Sequence, residues 1–102
     1  MEYFGANNKL SKILKSDKLI YKNFGTKRGA KIIEQLDDFI VADTLEDISY
    51  LPPAKLHQLK GNRKEEFAVS IGENWRITFE GYDKKDNLTT NKSQIVTLPI
   101  VP

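Results

Sequence analysis

The sequence of 102 residues contains no cysteine, one histidine and one tryptophan. The absence of cysteine excludes disulfide bonds, thiolate metal ligands and cysteine nucleophiles, and it is typical of proteins in a reducing cytoplasm. No apolar run approaches the roughly 18 residues of a membrane span, and the N-terminal residues MEYFGANNK lack the apolar segment of a signal peptide. We therefore expect a cytoplasmic protein that does not bind a membrane.

The length and composition predict one small globular domain over residues 1 to 102. The charges are strongly clustered. Residues 9 to 31 hold eight bases and one acid, residues 34 to 47 hold six acids and no base, and residues 48 to 64 hold four bases and no acid. Such basic segments can attract a polyanion. The alternative is that the lysines are simply the solvated faces of helices.

The first half of the chain predicts two helices. Asn7 is suited to the N-cap of the first helix, whose apolar positions lie between residues 10 and 24. Gly25 is suited to end it, and Thr26 can cap the second helix. The apolar face of that second helix consists of Ile32, Ile33, Leu36, Phe39 and Ile40. Two helices joined by so short a link are expected to pack as an antiparallel hairpin.

The second half predicts strands. Residues 66 to 71 (EFAVSI) and 75 to 80 (WRITFE) alternate with period 2, and a short loop with glycine and asparagine joins them. Residues 94 to 101 form a last strand, which we expect to lie at an edge of the sheet or to end early, because Pro99 has no N–H to donate. Residues 2 to 5 are a possible leading strand. The predicted fold is α+β, with an N-terminal helical hairpin packed on one face of a small antiparallel β-sheet.

The alternation also assigns residues to the two faces of the hairpin. Trp75 and Phe67 fall on the core-facing side, so we expect them to be core residues, with base stacking as the alternative. The opposite face then carries Arg76 beside the small residues Ala68 and Ser70. Small neighbours leave room for a ligand above the sheet.

The basic segment over residues 55 to 64 leads directly into this hairpin. We expect His57, Lys60 and Arg63 to converge with Arg76, and no acid is expected nearby to balance them. Such cations repel one another unless an anion lies among them, and a phosphodiester is a suitable anion for arginine and lysine. Histidine exchanges a proton near neutral pH. Together these groups suit RNA cleavage, in which a base takes the 2′-OH proton and cations stabilise the phosphorane.

The predicted site therefore has two sets of residues. The catalytic candidates are His57, Lys60 and Arg76, and the substrate-binding candidates are Arg63, Lys64 and Lys55.

Each candidate also has a plainer explanation. A lone histidine after two prolines can be a loop residue that bonds to the backbone. Arg76 can cover the sheet and pair with Glu80 or Glu66, and residues 60 to 63 can be a polar turn. One histidine and scattered carboxylates show no metal-ligand spacing, so we expect neither a metal nor another cofactor.

The stretch LHQLKGNRKEEFAVSIGENWRITF, residues 56 to 79, resembles the HigB-like toxins, the plasmid maintenance system killer proteins of the RelE/ParE superfamily. The family pattern is roughly L-H-x-L-K-G-x-R followed by a hairpin that ends W-R-[IL]-x-F. The resemblance extends over about residues 7 to 80. It implies the RelE/ParE fold and the toxin of a type II toxin–antitoxin pair.

Toxins of this family enter the ribosomal A site and cut translating mRNA, which inhibits translation. The implied partners are the ribosome, mRNA and a cognate antitoxin, often a helix-turn-helix protein. By position, His57 is the implied acid or base, and Lys60, Arg63 and Arg76 are implied to hold the phosphate and its developing charge.

The sequence departs from the family at its end, where an acidic residue, a tyrosine and a histidine usually follow the last strand. Here the chain ends in Val101-Pro102. The chain can be truncated, another group can serve, or the ribonuclease activity can be weak or lost. The alternative function is accordingly a toxin-fold protein that binds an antitoxin, or DNA gyrase as ParE toxins do, without cutting RNA.

Overall fold

The fold was analysed in a computed structural model that describes residues 1–72 and 74–101. Glu73, in the predicted loop Gly72-Glu73-Asn74, and Pro102 lie outside the described residues. The elements in chain order are β1 (Glu2–Gly5), α1 (Asn8–Leu14), α2 (Asp17–Phe24), α3 (Thr26–Val41), α4 (Leu45–Ile48), β2 (His57–Gln58), β3 (Glu66–Ser70), β4 (Arg76–Glu80) and β5 (Thr97–Val101). Short 3₁₀ helices occupy Pro52–Ala54, Gly61–Arg63 and Lys92–Gln94. The α+β class is therefore confirmed, and β1 is the predicted leading strand.

The helical region begins as predicted but divides differently. The Asn7 side chain caps α1 by accepting a hydrogen bond from the Leu10 N–H at 2.8 Å. The single first helix expected to reach Phe24 is instead two helices, because the Ser16 hydroxyl caps a new N-terminus by accepting from the Leu19 N–H. Gly25, with φ of 83°, ends α2 and also precedes α3. Thr26 is the first residue of α3 and not its cap.

The sheet is mixed, with strand order β1-β5-β4-β3-β2. Strand β1 pairs parallel to β5, and the other neighbours are antiparallel, so the prediction of a wholly antiparallel sheet that follows the helices was wrong. Strand β1 pairs with β5, which lies more than 90 residues later in the sequence. A local hydrophobic pattern does not identify so distant a partner.

The edge position predicted for β5 was also wrong, since β5 lies between β1 and β4. Thr97 exchanges backbone hydrogen bonds with Tyr82, just after β4. Every second residue of β5 therefore directs its backbone N–H and C=O groups toward the β4 side, and Pro99 is one of these residues. Its missing N–H therefore removes one bond to β4, where continuous pairing covers only Val101 and Ile100. Bonds to β1 use the intervening residues, such as the carbonyl of Ile100, and Pro99 leaves them intact.

The helices cover one face of the sheet, called the inner face here. Ile32, Leu36 and Phe39 of α3 are buried in one cluster with the inner residues of β3, β4 and β5. The Phe39 ring meets the Phe79 ring edge to face, with centroids 5.6 Å apart. Among the described residues, no helix is long and apolar enough to cross a membrane.

Candidate functional site

The other face of the sheet, the outer face, carries the predicted site residues. His57 lies opposite Ala68, and Ala68 lies opposite Thr78 on its other side. Arg76 lies opposite Ser70, one repeat further along β3. Strand spacings place the Cα atoms of His57 and Arg76 about 12 Å apart, with two small residues between them. Both side chains are exposed and point away from the helices, so an imidazole and a guanidinium can reach one ligand from two sides.

Three of the predicted residues line one open depression of about 490 Å³ at the end of the sheet. We call it the outer depression; its wall includes Lys55, His57, Ser70, Trp75 and Arg76. Lys55 reaches it because the 3₁₀ helix Pro52–Ala54 ends at Lys55 in a left-handed conformation, with φ of 48°, just before β2. The structure therefore brings together two cations and the histidine.

The contacts of His57 define which ring nitrogen can react. Its Nδ1 lies 3.0 Å from the carbonyl oxygen of Lys55. A carbonyl can only accept, so Nδ1 donates the hydrogen and Nε2 of the neutral ring carries the lone pair. The backbone hydrogen bond offered above as the plainer explanation is present. It also leaves Nε2 available to take a proton, which is what a general base requires.

The other three candidates are not part of the wall of the outer depression. Lys60 and Lys64 flank the 3₁₀ helix Gly61–Arg63 and are exposed to solvent. The Gln58 side chain donates to the carbonyl of Lys64, and the Leu59 N–H donates to the carbonyl of Glu66. These bonds hold residues 58 to 66 as a closed loop beside the outer depression, and the roles predicted for its cations stay predictions.

Arg63 has an acidic partner, contrary to the expectation that no acid lies nearby. Its Nε and Nη2 both donate to the carboxylate of Glu66, each at 2.9 Å. Hydrogen bonding from Arg63, together with the charges of Arg63 and Arg76, lowers the pKa of Glu66 and outweighs the opposing effect of burial. The three-residue spacing of Arg63 and Glu66 could have indicated this pair from the sequence. For Arg76, no carboxylate of residues 1–72 or 74–101 lies within ion-pair distance.

Trp75 corrects another prediction. Phe67 is buried as expected, but Trp75 is 56% exposed. It shares the parity of Ile77 and Phe79, which are buried, but it precedes the first residue of β4 and lies at the end of the inner face, where it stays largely exposed although Arg28 of α3 contacts its ring. Alternation identifies the face on which a side chain lies but not where the cover of that face ends. Trp75 therefore lines the outer depression, whereas its sequence position predicted a core residue.

A search of models of known protein families finds no match to this sequence, and a search of curated proteins finds none either. The similarity to HigB-like toxins therefore rests on the residue pattern described above.

Proposed function

We propose that this chain is the toxin of a type II toxin–antitoxin pair with a RelE/ParE-like fold, acting in the cytoplasm as a ribosome-dependent mRNA endoribonuclease. The observation that carries the proposal is the meeting of Lys55, His57 and Arg76 in one depression at the end of the sheet. The HigB-like pattern over residues 56 to 79 supports the same function. The partners are translating ribosomes, mRNA and an antitoxin that blocks the toxin.

The proposed reaction begins when Nε2 of His57 accepts the proton of a ribose 2′-OH. The freed oxygen attacks the adjacent phosphorus, and the bond from phosphorus to the 5′-oxygen of the next nucleotide breaks. Arg76 and Lys55 stabilise the negative charge that develops on the phosphorane. The leaving 5′-oxygen takes a proton from the solvent side or from Lys60, which gives a cyclic 2′,3′-phosphate and a 5′-hydroxyl.

The exposed loop beside the depression has a separate part in the proposal. Lys64 is exposed on this loop and would contact a flanking phosphate as a point charge, whereas Lys60 would serve the leaving group. Arg63 would bind a phosphate more weakly while it is paired with Glu66, because the carboxylate offsets its charge and takes two of its five N–H donors.

A second candidate is a protein of the same fold that binds its antitoxin or DNA gyrase without cutting RNA. The observation that favours it is the ion pair of Arg63 with Glu66, which occupies a cation assigned to the substrate. The two candidates differ in whether mRNA is cut.

The test is expression of the chain without a partner, followed by growth, protein synthesis and mapping of mRNA ends. The first candidate predicts arrested growth, arrested translation and new 5′-hydroxyl ends in mRNA. A message with a 2′-deoxy nucleotide at the cleavage position is expected to stay intact in a translation reaction with the purified protein. Arrested growth with intact mRNA would favour the second candidate. Growth equal to an empty-vector control, with folded protein present, would exclude both.

A further inference from the structure

The only tryptophan of the chain, Trp75, is held in a fixed position although it is exposed. Its carbonyl accepts a hydrogen bond from the Ile71 N–H at 3.0 Å, which closes the β3–β4 hairpin. The guanidinium of Arg28, on α3, lies 4.0 Å from the centre of the Trp75 ring. The same guanidinium lies 4.9 Å from the centre of the Phe24 ring at the end of α2. The indole is therefore anchored to the helices through a cation shared by two aromatic rings.

This anchoring covers only part of the ring. Arg28 lies over one face of the indole, and more than half of the Trp75 surface stays open to solvent. The Arg28 Nε is buried and has no hydrogen-bond partner among residues 1–72 and 74–101, which is consistent with a guanidinium held by ring contacts. A large apolar ring that is rigid on one side and open on the other is a suitable surface for stacking a flat ligand.

The open ring borders the outer depression, whose wall also contains Lys55, His57 and Arg76. Trp75 and Arg76 both line this depression, so an aromatic surface and a guanidinium are parts of the same wall. Cations bind the phosphate of a nucleotide, and an aromatic ring binds its base. Both kinds of group meet in this depression.

We propose that Trp75 is a stacking platform for a base of single-stranded RNA, next to the phosphodiester held by Arg76 and Lys55. This inference rests on the proposed function. Stacking on an aromatic ring tolerates any base, because every base has a flat π-face. Trp75 is thus expected to hold the nucleotide beside the cleaved bond without setting its identity. Loss of one base–aromatic stack weakens binding by about 5- to 100-fold.

The absence of a second tryptophan makes the indole a direct reporter of its own contacts. The test titrates the purified protein with a short single-stranded oligonucleotide whose riboses are all 2′-O-methylated, so that it binds without being cut. Stacking is expected to quench the fluorescence of Trp75. The same oligonucleotide with abasic positions is expected to bind more weakly and to quench less.

Two variants separate stacking from simple apolar contact. Affinity, measured by anisotropy of a labelled oligonucleotide, is expected to fall about 5- to 100-fold in Trp75→Leu and to stay within a few fold of the parent in Trp75→Phe. Equal quenching by the abasic oligonucleotide, or equal affinity of all three proteins, would overturn the stacking role. If mRNA is still cut in that case, the proposed nuclease function stands alone. If neither cutting nor quenching occurs, both proposals are wrong.

Discussion

The two faces of the β3–β4 hairpin share one backbone but differ in what covers them. The inner face presents Phe67, Val69, Ile77 and Phe79, each buried against the helices. The outer face presents Arg76 and Ser70, with His57 joined from the neighbouring strand β2. The inner residues are fixed by the need to fill a core. His57 and Arg76 are both exposed, so packing does not explain why an arginine and the only histidine lie there.

This difference separates stability from function along a single strand. Successive residues of β4 have their side chains in different surroundings, and a substitution at one is expected to leave the other in place. The comparison between the faces can therefore be tested with substitutions only one or two residues apart.

The largest effect is expected on the inner face, from Phe79→Ala. Phe79 contacts the ring of Phe39 and lies nearly parallel to that of Phe67, so truncation leaves a cavity between two aromatic side chains. The free energy of unfolding is expected to fall by about 3–5 kcal/mol, measured by urea denaturation. Glu80→Ala, at the next position and on the outer face, is the matched control and is expected to cost less than about 1 kcal/mol. Similar losses in both variants would refute the distinction between the faces.

The second effect is expected on the outer face, from His57→Ala and Arg76→Ala. If His57 is the general base, its loss slows mRNA cleavage by about 10²- to 10⁴-fold. Loss of the charge of Arg76 is expected to slow it by about 10²- to 10³-fold. Both side chains are exposed, so the free energy of unfolding is expected to change by less than about 0.5 kcal/mol.

A lysine outside the depression provides the control for both variants. Lys84→Ala removes one positive charge from the loop after β4 and is expected to cut at the parental rate. Cleavage by His57→Ala and Arg76→Ala at that same rate would show that the site has been assigned to the wrong residues.

The sequence was informative where local chemistry decides the structure. Alternation in β3 and β4 predicted both strands and the burial of Phe67, Val69, Ile77 and Phe79, and Asn7 and Gly25 predicted helix ends. The helix break at Ser16 was missed, although serine is a good cap, because the apolar positions continue across it.

The sequence was less informative where distant segments meet. The parallel pairing of β1 with β5 joins segments from opposite ends of the sequence. Pro99 is tolerated in a central strand because its missing N–H faces β4 and not β1, and the sequence does not show which strand lies on which side. The exposure of Trp75 depends on where α3 and Arg28 lie relative to the sheet. For the site, the sequence predicted that His57, Lys60 and Arg63 converge with Arg76, but only the fold could show that the residues sharing one depression are Lys55, His57 and Arg76.

A smaller effect is expected from Glu66→Gln, which makes the outer face more basic. The substitution removes a negative charge and weakens the two hydrogen bonds that hold Arg63. RNA affinity is expected to rise by about 2- to 10-fold, and the dependence of log affinity on log salt concentration is expected to steepen by about one unit. The measurement is oligonucleotide binding at several salt concentrations.

The control for this variant is Glu2→Gln. It changes the net charge equally, but it lies in β1 at the opposite edge of the sheet from β2. Equal gains in affinity from both variants would mean that only net charge matters and that Arg63 has no part in binding RNA.

The smallest effect is expected in the pH dependence of stability. Arg63 lowers the pKa of Glu66 in the folded protein, so the folded state keeps this carboxylate charged at pH values where the unfolded chain binds a proton. The pair therefore stabilises the fold above the ordinary pKa of a glutamate. That contribution is lost as the pH falls through the lowered value. Because the pair is largely exposed, its contribution is expected to be small.

The measurement is urea denaturation of the parent and of Glu66→Gln between neutral and strongly acidic pH. Other carboxylates titrate in both proteins, so their contributions cancel in the difference of unfolding free energies. The parent is expected to be the more stable of the two at neutral pH, and the difference is expected to vanish at the acidic end. A difference that stays constant would show that Glu66 stabilises the outer face by contacts other than its charge. Arg63 would then be free to bind phosphate without first losing an ion pair.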